Sequence, residues 1–518
     1  MGNNKEQYIL AHDLGTSGNK ATLYGVDGTL RCSVVCDYPT YTPQDRFVEQ
    51  DPMDWWGAVC RGTRELLEKA KAAPEEVLCV SFSGQMMGCL PVDAQGNPLR
   101  RSIIWADTRA VTQEKEMIDR VGQAHGYRIT GHRLSASYSA AKLMWVRENE
   151  PEVYRRTAKM LHAKDFIIRK LTGCFVTDYS DASGTNLLDI EKRAWSQEML
   201  TALEISESLL PEVRRSCDAA GGVTAEAARE TGLLEGTPVI IGGGDGSCAC
   251  VGAGVVRPGR AYNVLGSSSW ISLAAEKPLF DEKMRTFNWL HLDETLYTPC
   301  GTMQAAGYSY AWFRDQLGQM EKQEAARDGG SAYERLNRLA EGSAPGANGV
   351  LFLPYLLGER SPRWDLDARG AFLGMGAGTT RGDLARAVLE GVGYNLRIIR
   401  EILAGAVPME KLVMIGGGAK GRTWMHILAD IWQTELTLPR YREEATSMGA
   451  AVCGGVGIGL YPDYSVIERM NPDEDVIRPN PENAKAYDAA FELFNDAYDV
   501  LAPLYKKMSV RREGGRAS

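Results

Sequence analysis

The chain has only 6 histidines in 518 residues (His12, His125, His132, His162, His291, His426), and none falls in an H-E-x-x-H or similar grouping that would hold a catalytic metal. Its 11 cysteines form no paired C-x-x-C sets, which argues against a structural zinc centre and for buried free thiols in a reducing compartment; a cytoplasmic location is expected. No apolar run approaches the roughly 20 residues that a membrane span requires. No apolar signal segment precedes the first strand, and Gly2 opens only a superficial acylation motif because Glu6 stands where Ser or Thr is needed. A net positive charge is lacking too. The formal net charge is -9, whereas a nucleic-acid partner calls for a basic stripe. What remains, at 44% apolar and 24% charged residues, is a globular composition in a chain too long for one core, so two domains are expected.

A Gly/Ser/Thr loop near the start recurs in the second half. Leu14-Gly15-Thr16-Ser17-Gly18-Asn19-Lys20 lies between two apolar strands, and Leu265-Gly266-Ser267-Ser268-Ser269 lies between two more. Both turns lack bulky side chains, so backbone N–H groups and hydroxyls can close on an anion. A second pair matches Val239-Ile-Ile-Gly242-Gly-Gly-Asp245 with Val413-Met-Ile-Gly416-Gly-Gly-Ala419; each runs from a buried strand into a helical pattern. Two halves built alike, each with a phosphate-sized loop, predict a nucleotide held in a cleft between them.

The periodicity predicts strands over 8–14, 19–26 and 29–37 with an Asp27-Gly28 turn, a helix capped by Asp51-Pro52, and a buried strand from Leu78 to Ser83. Residues 112–215 read as mainly helical. The hairpin pattern restarts beyond Pro258-Gly259, so the expected domains are 1–254 and 255–518. Helices are expected from Thr302 to Leu317, Asp383 to Leu403, Trp424 to Trp432 and about 482 to 506; the last carries Tyr487, Phe491, Phe494, Tyr498 and Leu501 as a core stripe. Trp55-Trp56 reads as core, Asp328 to Ser331 as a mobile loop, and residues 511–518 as a disordered tail. The fold class is α/β.

At this point the chain resembles the FGGY family of carbohydrate kinases. The resemblance rests on Asp13-Leu-Gly-Thr-Ser-Gly-Asn-Lys20, Gln85-Met86, Trp105-Ala-Asp107-Thr-Arg109, Gly242 to Asp245, Gly266 to Ser269 and Gly416 to Ala419. Two longer signatures, Ser137 to Asn149 and Gly370 to Glu390, also fit in the family's order. The Asp-Leu-Gly-Thr-Ser-Gly and Gln-Met elements look most like its xylulokinase branch. The resemblance implies two ribonuclease-H-like, actin-type ATPase domains, ATP and Mg²⁺ in the cleft between them, and phosphoryl transfer to a sugar hydroxyl, D-xylulose to D-xylulose 5-phosphate being the first expectation. Small-molecule sugar and ATP are the expected partners, with no nucleic acid or membrane; homodimers occur among such enzymes.

In those roles Asp245 would be the catalytic base, with helix capping as its plain alternative. Its three glycines would let another molecule approach the backbone. Asp13 suits Mg²⁺, or simply ties down its turn. Gly15, Thr16, Ser17 and Lys20 would meet the phosphates from one wall and Gly266, Ser267 and Ser268 from the other. Gly417, Gly418 and Ala419 would take adenosine, with Lys420 and Arg422 nearby. Gln85, Met86, Met87, Trp105, Asp107 and Arg109 would bind the sugar, although Trp105 equally suits core packing and Asp107–Arg109 a structural ion pair. Tyr138, Lys142, Asp178 and Asp181 would frame its far side. Met87 stands where xylulokinase-like sequences commonly carry histidine, which leaves another pentulose, a tetrulose or a polyol open as substrate. An actin-like or chaperone-like ATPase is the competing class; the stretch beyond about Tyr461 is too short for a peptide-binding domain.

Overall fold

In the computed structural model, residues 6–409 and 411–514 are described; of the expected tail, 515–518 lie outside them. Two seven-stranded sheets carry the fold. In the first, the strand Tyr8–Leu14 turns through the Gly15 loop into Gly18–Gly25, which pairs antiparallel with Leu30–Asp37. On its other side Tyr8–Leu14 runs parallel to Val77–Gly84, beside which lies the fifth strand Pro238–Ile240. The second sheet repeats this order. Arg260–Leu265 and Ser269–Leu273 form the hairpin, Tyr297–Met303 is the third strand, and Lys411–Ile415 and Leu436–Pro439 follow in parallel on the far side.

Local chemistry accounts for the repeated unit. Gly28 takes a left-handed φ of 87° and donates to the Gly25 carbonyl at 2.8 Å, while the Asp27 side chain accepts from Thr29 N at 2.9 Å. The helix Pro52–Ala70 starts on Asp51, whose side chain accepts from Met53 N, and buries Trp55, Trp56, Val59, Thr63 and Leu66 against the first sheet. Its counterpart in the second half is Arg381–Ala406, capped by Thr380. The last helix, Ala484–Gly514, buries Tyr487, Phe494 and Tyr498 in the second core, as its stripe predicts. The helix expected from Thr302 begins only at Gly307; Thr302 pairs in a strand with Trp270. The loop at 329–331 is a short link between helices Gln319–Asp328 and Ala332–Glu341. Residues 112–215 are mostly helical but also contain short strands such as Lys159–Leu161 and Val176–Asp178.

The strand order corrects one expectation. Gly416 to Ala419 follow the fourth strand of their sheet, so their counterpart is Gly84-Gln85, not Gly242 to Asp245. The helix Asp245–Gly252 follows a fifth strand and pairs instead with Ala445–Gly457. These two helices cross where Gly252 lies on the Ala445 carbonyl and Gly449 on the Cys248 carbonyl; a Cβ at either glycine would overlap the opposing backbone. The two helices lie between the sheets, and each also reaches the sheet of the other half. Ala249 and Cys250 lie with Tyr262, Val413 and Ile415, while Ala450 to Cys453 lie with Ile9, Ala11 and Cys79. The halves are therefore fastened through a helix pair shared between both sheets, which no local pattern announces.

Candidate active site

A cavity opens where the two sheets converge. From the first half it is lined by Met86, Met87, Trp105, Tyr138, Asp245 and Gly246. From the second half come Tyr262, Ser268, Trp270, Phe287, Trp289 and Arg360, together with Cys300 and Thr302. Its walls are chiefly aromatic and thioether faces with a few polar groups among them, the usual make-up of a small-molecule site.

Asp245 is the first residue of its helix, and its Oδ1 accepts from Gly246 N at 2.7 Å. Burial, followed by the nearby charge of Asp13, pushes its carboxyl up to about 7. Asp13, near the end of the first strand, accepts from Ser83 Oγ at 2.9 Å and lies opposite Lys20 in the hairpin register. Burial raises its pKa as well. The glycines before Asp245 serve packing and do not open the backbone to a ligand. Gly242 has a φ of 71° and lies on the backbone of Phe82, Gly243 touches Leu292, and Gly244 is pressed on Met86. All three are buried.

The second Gly/Ser hairpin lines this cavity through Ser268, and the first is tied to its wall through Trp105. In the first, Gly15 N donates to Gly18 O at 3.0 Å and Tyr38 Oη donates to Gly15 O, leaving Thr16 and Ser17 exposed. Trp105 Nε1 donates to Thr16 Oγ1 at 2.9 Å, so one cavity wall is tied to the loop. Lys20 Nζ donates to the Glu443 carbonyl at 3.0 Å, bridging the two halves. In the second, Gly266 N donates to Ser268 O, and the start of the helix Gly307–Gln316 donates Gly307 N to Gly266 O and Tyr308 N to Ser267 O. Ser267 is exposed, and Ser268 lines the same cavity as Asp245. In the third loop Gly417 has open space around it, Gly418 is pressed on Leu265, and Ala419 is buried in the second core. Lys420 pairs with Glu443 and Arg422 with Asp475.

Several expected sugar contacts lie elsewhere. Gln85 is buried behind the first loop, where its Nε2 donates to Gln50 Oε1 at 2.7 Å. Asp107 and Arg109 form the structural alternative: Arg109 Nε lies 2.9 Å from Asp107 Oδ2, its Nη2 lies 2.7 Å from Glu49, and its guanidinium covers the Phe47 ring at 3.7 Å. Their side chains are 0% and 1% exposed, so nothing of the pair reaches the cavity. Asp178 and Asp181 surround the buried Lys164 with Asp165, at 3.2, 3.6 and 3.0 Å. His162, Asp165 and Asp181 are close enough to share a metal ion, but this ammonium already takes the cation's place. The network touches the site indirectly, since Ser180 Oγ donates to Asp178 and accepts from Gly244 N at 2.9 Å.

The sequence reading gave the second half only the nucleotide, whereas half the sugar-sized cavity is its work. The one available signal was strand alternation: Phe287 and Trp289, two apart in the strand Phe287–Leu290, turn the same way. Behind the Tyr138 wall lies His132, held neutral by burial at about 3, with its Nδ1 3.0 Å from Tyr138 Oη.

A carboxylate and a Gly/Ser hairpin in one cleft, on a duplicated five-strand unit, are what a two-domain phosphotransferase of the actin-type ATPase fold presents. Residues 8–252 match the N-terminal domain, and residues 261–458 the C-terminal domain, of the FGGY family of carbohydrate kinases. The chain belongs to that family and is an ATP-dependent sugar kinase. It is 32% identical to the xylulose kinase of Bacillus subtilis (strain 168) over 95% of this chain and 97% of the relative. A ligand-bound xylulose kinase from Lactobacillus acidophilus superposes with a TM-score of 0.90 at 27% identity, covering 97% of this chain and 100% of that one. A gluconate kinase from the same organism matches with the same values. Among the described residues no helix is long and apolar enough to cross a membrane.

Proposed function

We propose that the enzyme transfers the terminal phosphoryl group of ATP to a hydroxyl of D-xylulose, giving D-xylulose 5-phosphate. The observation that carries this is the meeting of Asp245 with Ser268 in one cavity, which sets a base beside a phosphate-binding loop. Asp245 takes the proton of the attacking hydroxyl as the new O–P bond forms and the bridging bond to ADP breaks, a role worth about 10²–10⁴ in rate. Thr16, Ser17 and the Gly15 backbone face the phosphates from one side, and Gly266 to Ser268 from the other. Adenosine lies over Gly417 and Gly418, with Ala419 supporting them from the core. Residues 1–254 thus bring the base, residues 255–518 bring the nucleotide, and both bring walls for the sugar.

The residues fit Mg²⁺. Asp13 keeps one oxygen clear of Ser83, and its charge already bears on Asp245, a repulsion that a divalent ion relieves. Asp13 would hold the ion, which when bound neutralises phosphate charge.

Trp105, Trp270 and Trp289 offer flat faces to the C–H side of a sugar, and xylulose kinases stand among the relatives. A second reading has its own support. Arg360 lines the cavity with its Nε on Gln304 Oε1 at 3.1 Å, and no carboxylate within ion-pair distance is found for it among the described residues. That guanidinium suits an acid sugar such as gluconate. Coupled ADP release over D-xylulose, other pentuloses, tetruloses, polyols and gluconate separates the two. D-xylulose is expected to exceed gluconate in kcat/KM; the reverse order moves the assignment to the acid sugar, and no turnover with any of them refutes both.

A further inference from the structure

Lys142, in the helix Ser139–Asn149, is fully buried and has no carboxylate within ion-pair distance among the described residues. Its Nζ instead donates to three backbone carbonyls: Met87 O at 2.7 Å, Ile104 O at 2.9 Å and Ser137 O at 2.6 Å. An ammonium has three donors, so this set satisfies it completely. The identity of the acceptors is the informative point. Met87 lines the cavity itself, Ile104 immediately precedes Trp105, and Ser137 immediately precedes Tyr138. One side chain therefore ties together the three separate segments that carry the first-half walls of the cavity.

Each of those segments needs an outside anchor. Met87 adopts a left-handed φ of 63° that methionine does not favour. Trp105 is half-buried, and its indole N–H donates to the Thr16 hydroxyl. Tyr138 precedes the first turn of the helix and caps it with no side-chain bond. A buried ammonium without a counter-ion is costly unless fully hydrogen-bonded, and this one is spent entirely on the backbone behind the sugar walls.

We propose that Lys142 is a positioning residue that sets Met87, Trp105 and Tyr138 in mutual register and so determines how the acceptor sugar is held against Asp245. The proposal rests on the reading of this cavity as the sugar site. It predicts a loss confined to one substrate. The tripod's own bonds touch neither Gly/Ser hairpin nor the Gly417 loop, and it reaches the first hairpin only indirectly through the Trp105–Thr16 bond, so sugar binding fails while nucleotide binding changes little.

Lys142→Gln retains two donors and Lys142→Met none. Steady-state kinetics with the preferred sugar and with ATP, each varied at saturation of the other, should show KM for the sugar rising at least tenfold in Lys142→Gln and further in Lys142→Met. KM for ATP should stay within about twofold of wild type in both. A KM for the sugar within twofold of wild type overturns the proposal, as does a parallel rise in both KM values, which marks a general structural defect. Failure of both variants to fold overturns it too, because it assigns the lysine to stability of the domain. Wild-type turnover in the same assay keeps the two questions apart: none with any sugar defeats the reading of the cavity, whereas normal wild-type turnover with unmoved variants defeats the role of Lys142 alone.

Discussion

Asp245→Asn keeps the shape of the side chain and removes its ability to ionise, so it separates what the carboxylate does for catalysis from what it costs the fold. The folded chain holds this carboxyl at about 7, against an ordinary value of 3.8. At 1.36 kcal/mol per pH unit, ionising it in the folded chain costs about 4 kcal/mol more than in the unfolded one, an upper bound because the cavity mouth admits solvent. The sign follows from proton binding. Between pH 3.8 and about 7 the folded chain keeps a proton that the unfolded chain has lost, so this group's contribution to stability falls as pH rises through that window and stays low above it. Asparagine stands in for the neutral carboxyl and pays nothing. The variant should match wild type near pH 4 and exceed it at pH 8 by about 1–2 kcal/mol after screening, a rise in melting temperature of roughly 2 °C for a chain of this length. Thermal unfolding at both pH values, with EDTA present so that no divalent ion bridges Asp13 and Asp245, measures it. The same variant should lose about 10²–10⁴ in kcat while binding an ATP analogue normally, and wild-type kcat/KM should climb with pH through about 7. A variant no more stable than wild type at pH 8, or a difference equal at both pH values, refutes the argument that burial and Asp13 hold this carboxyl in an unfavourable state.

Met87→His should lower KM for D-xylulose about two- to tenfold, because histidine tolerates the left-handed backbone and adds a hydrogen bond worth about 0.5–1.5 kcal/mol; an unchanged KM means the position does not face the sugar. Arg109→Met strands the buried Asp107 without its ion-pair partner and leaves Glu49 with Arg100 alone; it should cost about 3–5 kcal/mol, seen as a fall in melting temperature, with KM for the sugar nearly unchanged in the protein that remains folded. A raised KM without loss of stability would return Arg109 to the sugar site. Gly449→Ala drives a methyl into the Cys248 carbonyl at the helix crossing and should destabilise by about 1–3 kcal/mol in the same measurement; a neutral result shows that the two helices can slide apart freely.

Much of the fold was legible because its signals are local. Apolar alternation placed the hairpin strands, Asp27-Gly28 and Asp51-Pro52 marked a turn and a helix start, and spacing of 3 to 4 residues exposed the core stripe of the last helix. The resemblance picked out Asp13 and Asp245, whose charges bear on each other, and the second Gly/Ser hairpin, whose Ser268 shares a cavity with Asp245. The errors have a common physical origin. Gln85, Asp107 and Arg109 carry ligand-type chemistry, yet an amide or an ion pair serves a buried backbone as readily as a sugar, and only packing decides which. The glycine run before Asp245 resembles that before Ala419 because both leave a strand, but the neighbouring strands assign them different places in the repeat.

By itself the sequence determined a duplicated α/β chain with small-residue Gly/Ser loops at its strand ends, since turn chemistry and strand period act within a few residues. Only the tertiary structure decided that the two halves are joined by helices crossing at Gly252 and Gly449, that aromatic residues of the second half complete the cavity, and that Lys142 gathers three distant segments behind it. Those outcomes depend on which surfaces meet across hundreds of residues, and a side chain's role at such a meeting is set by what lies opposite it, which no pattern along the chain records.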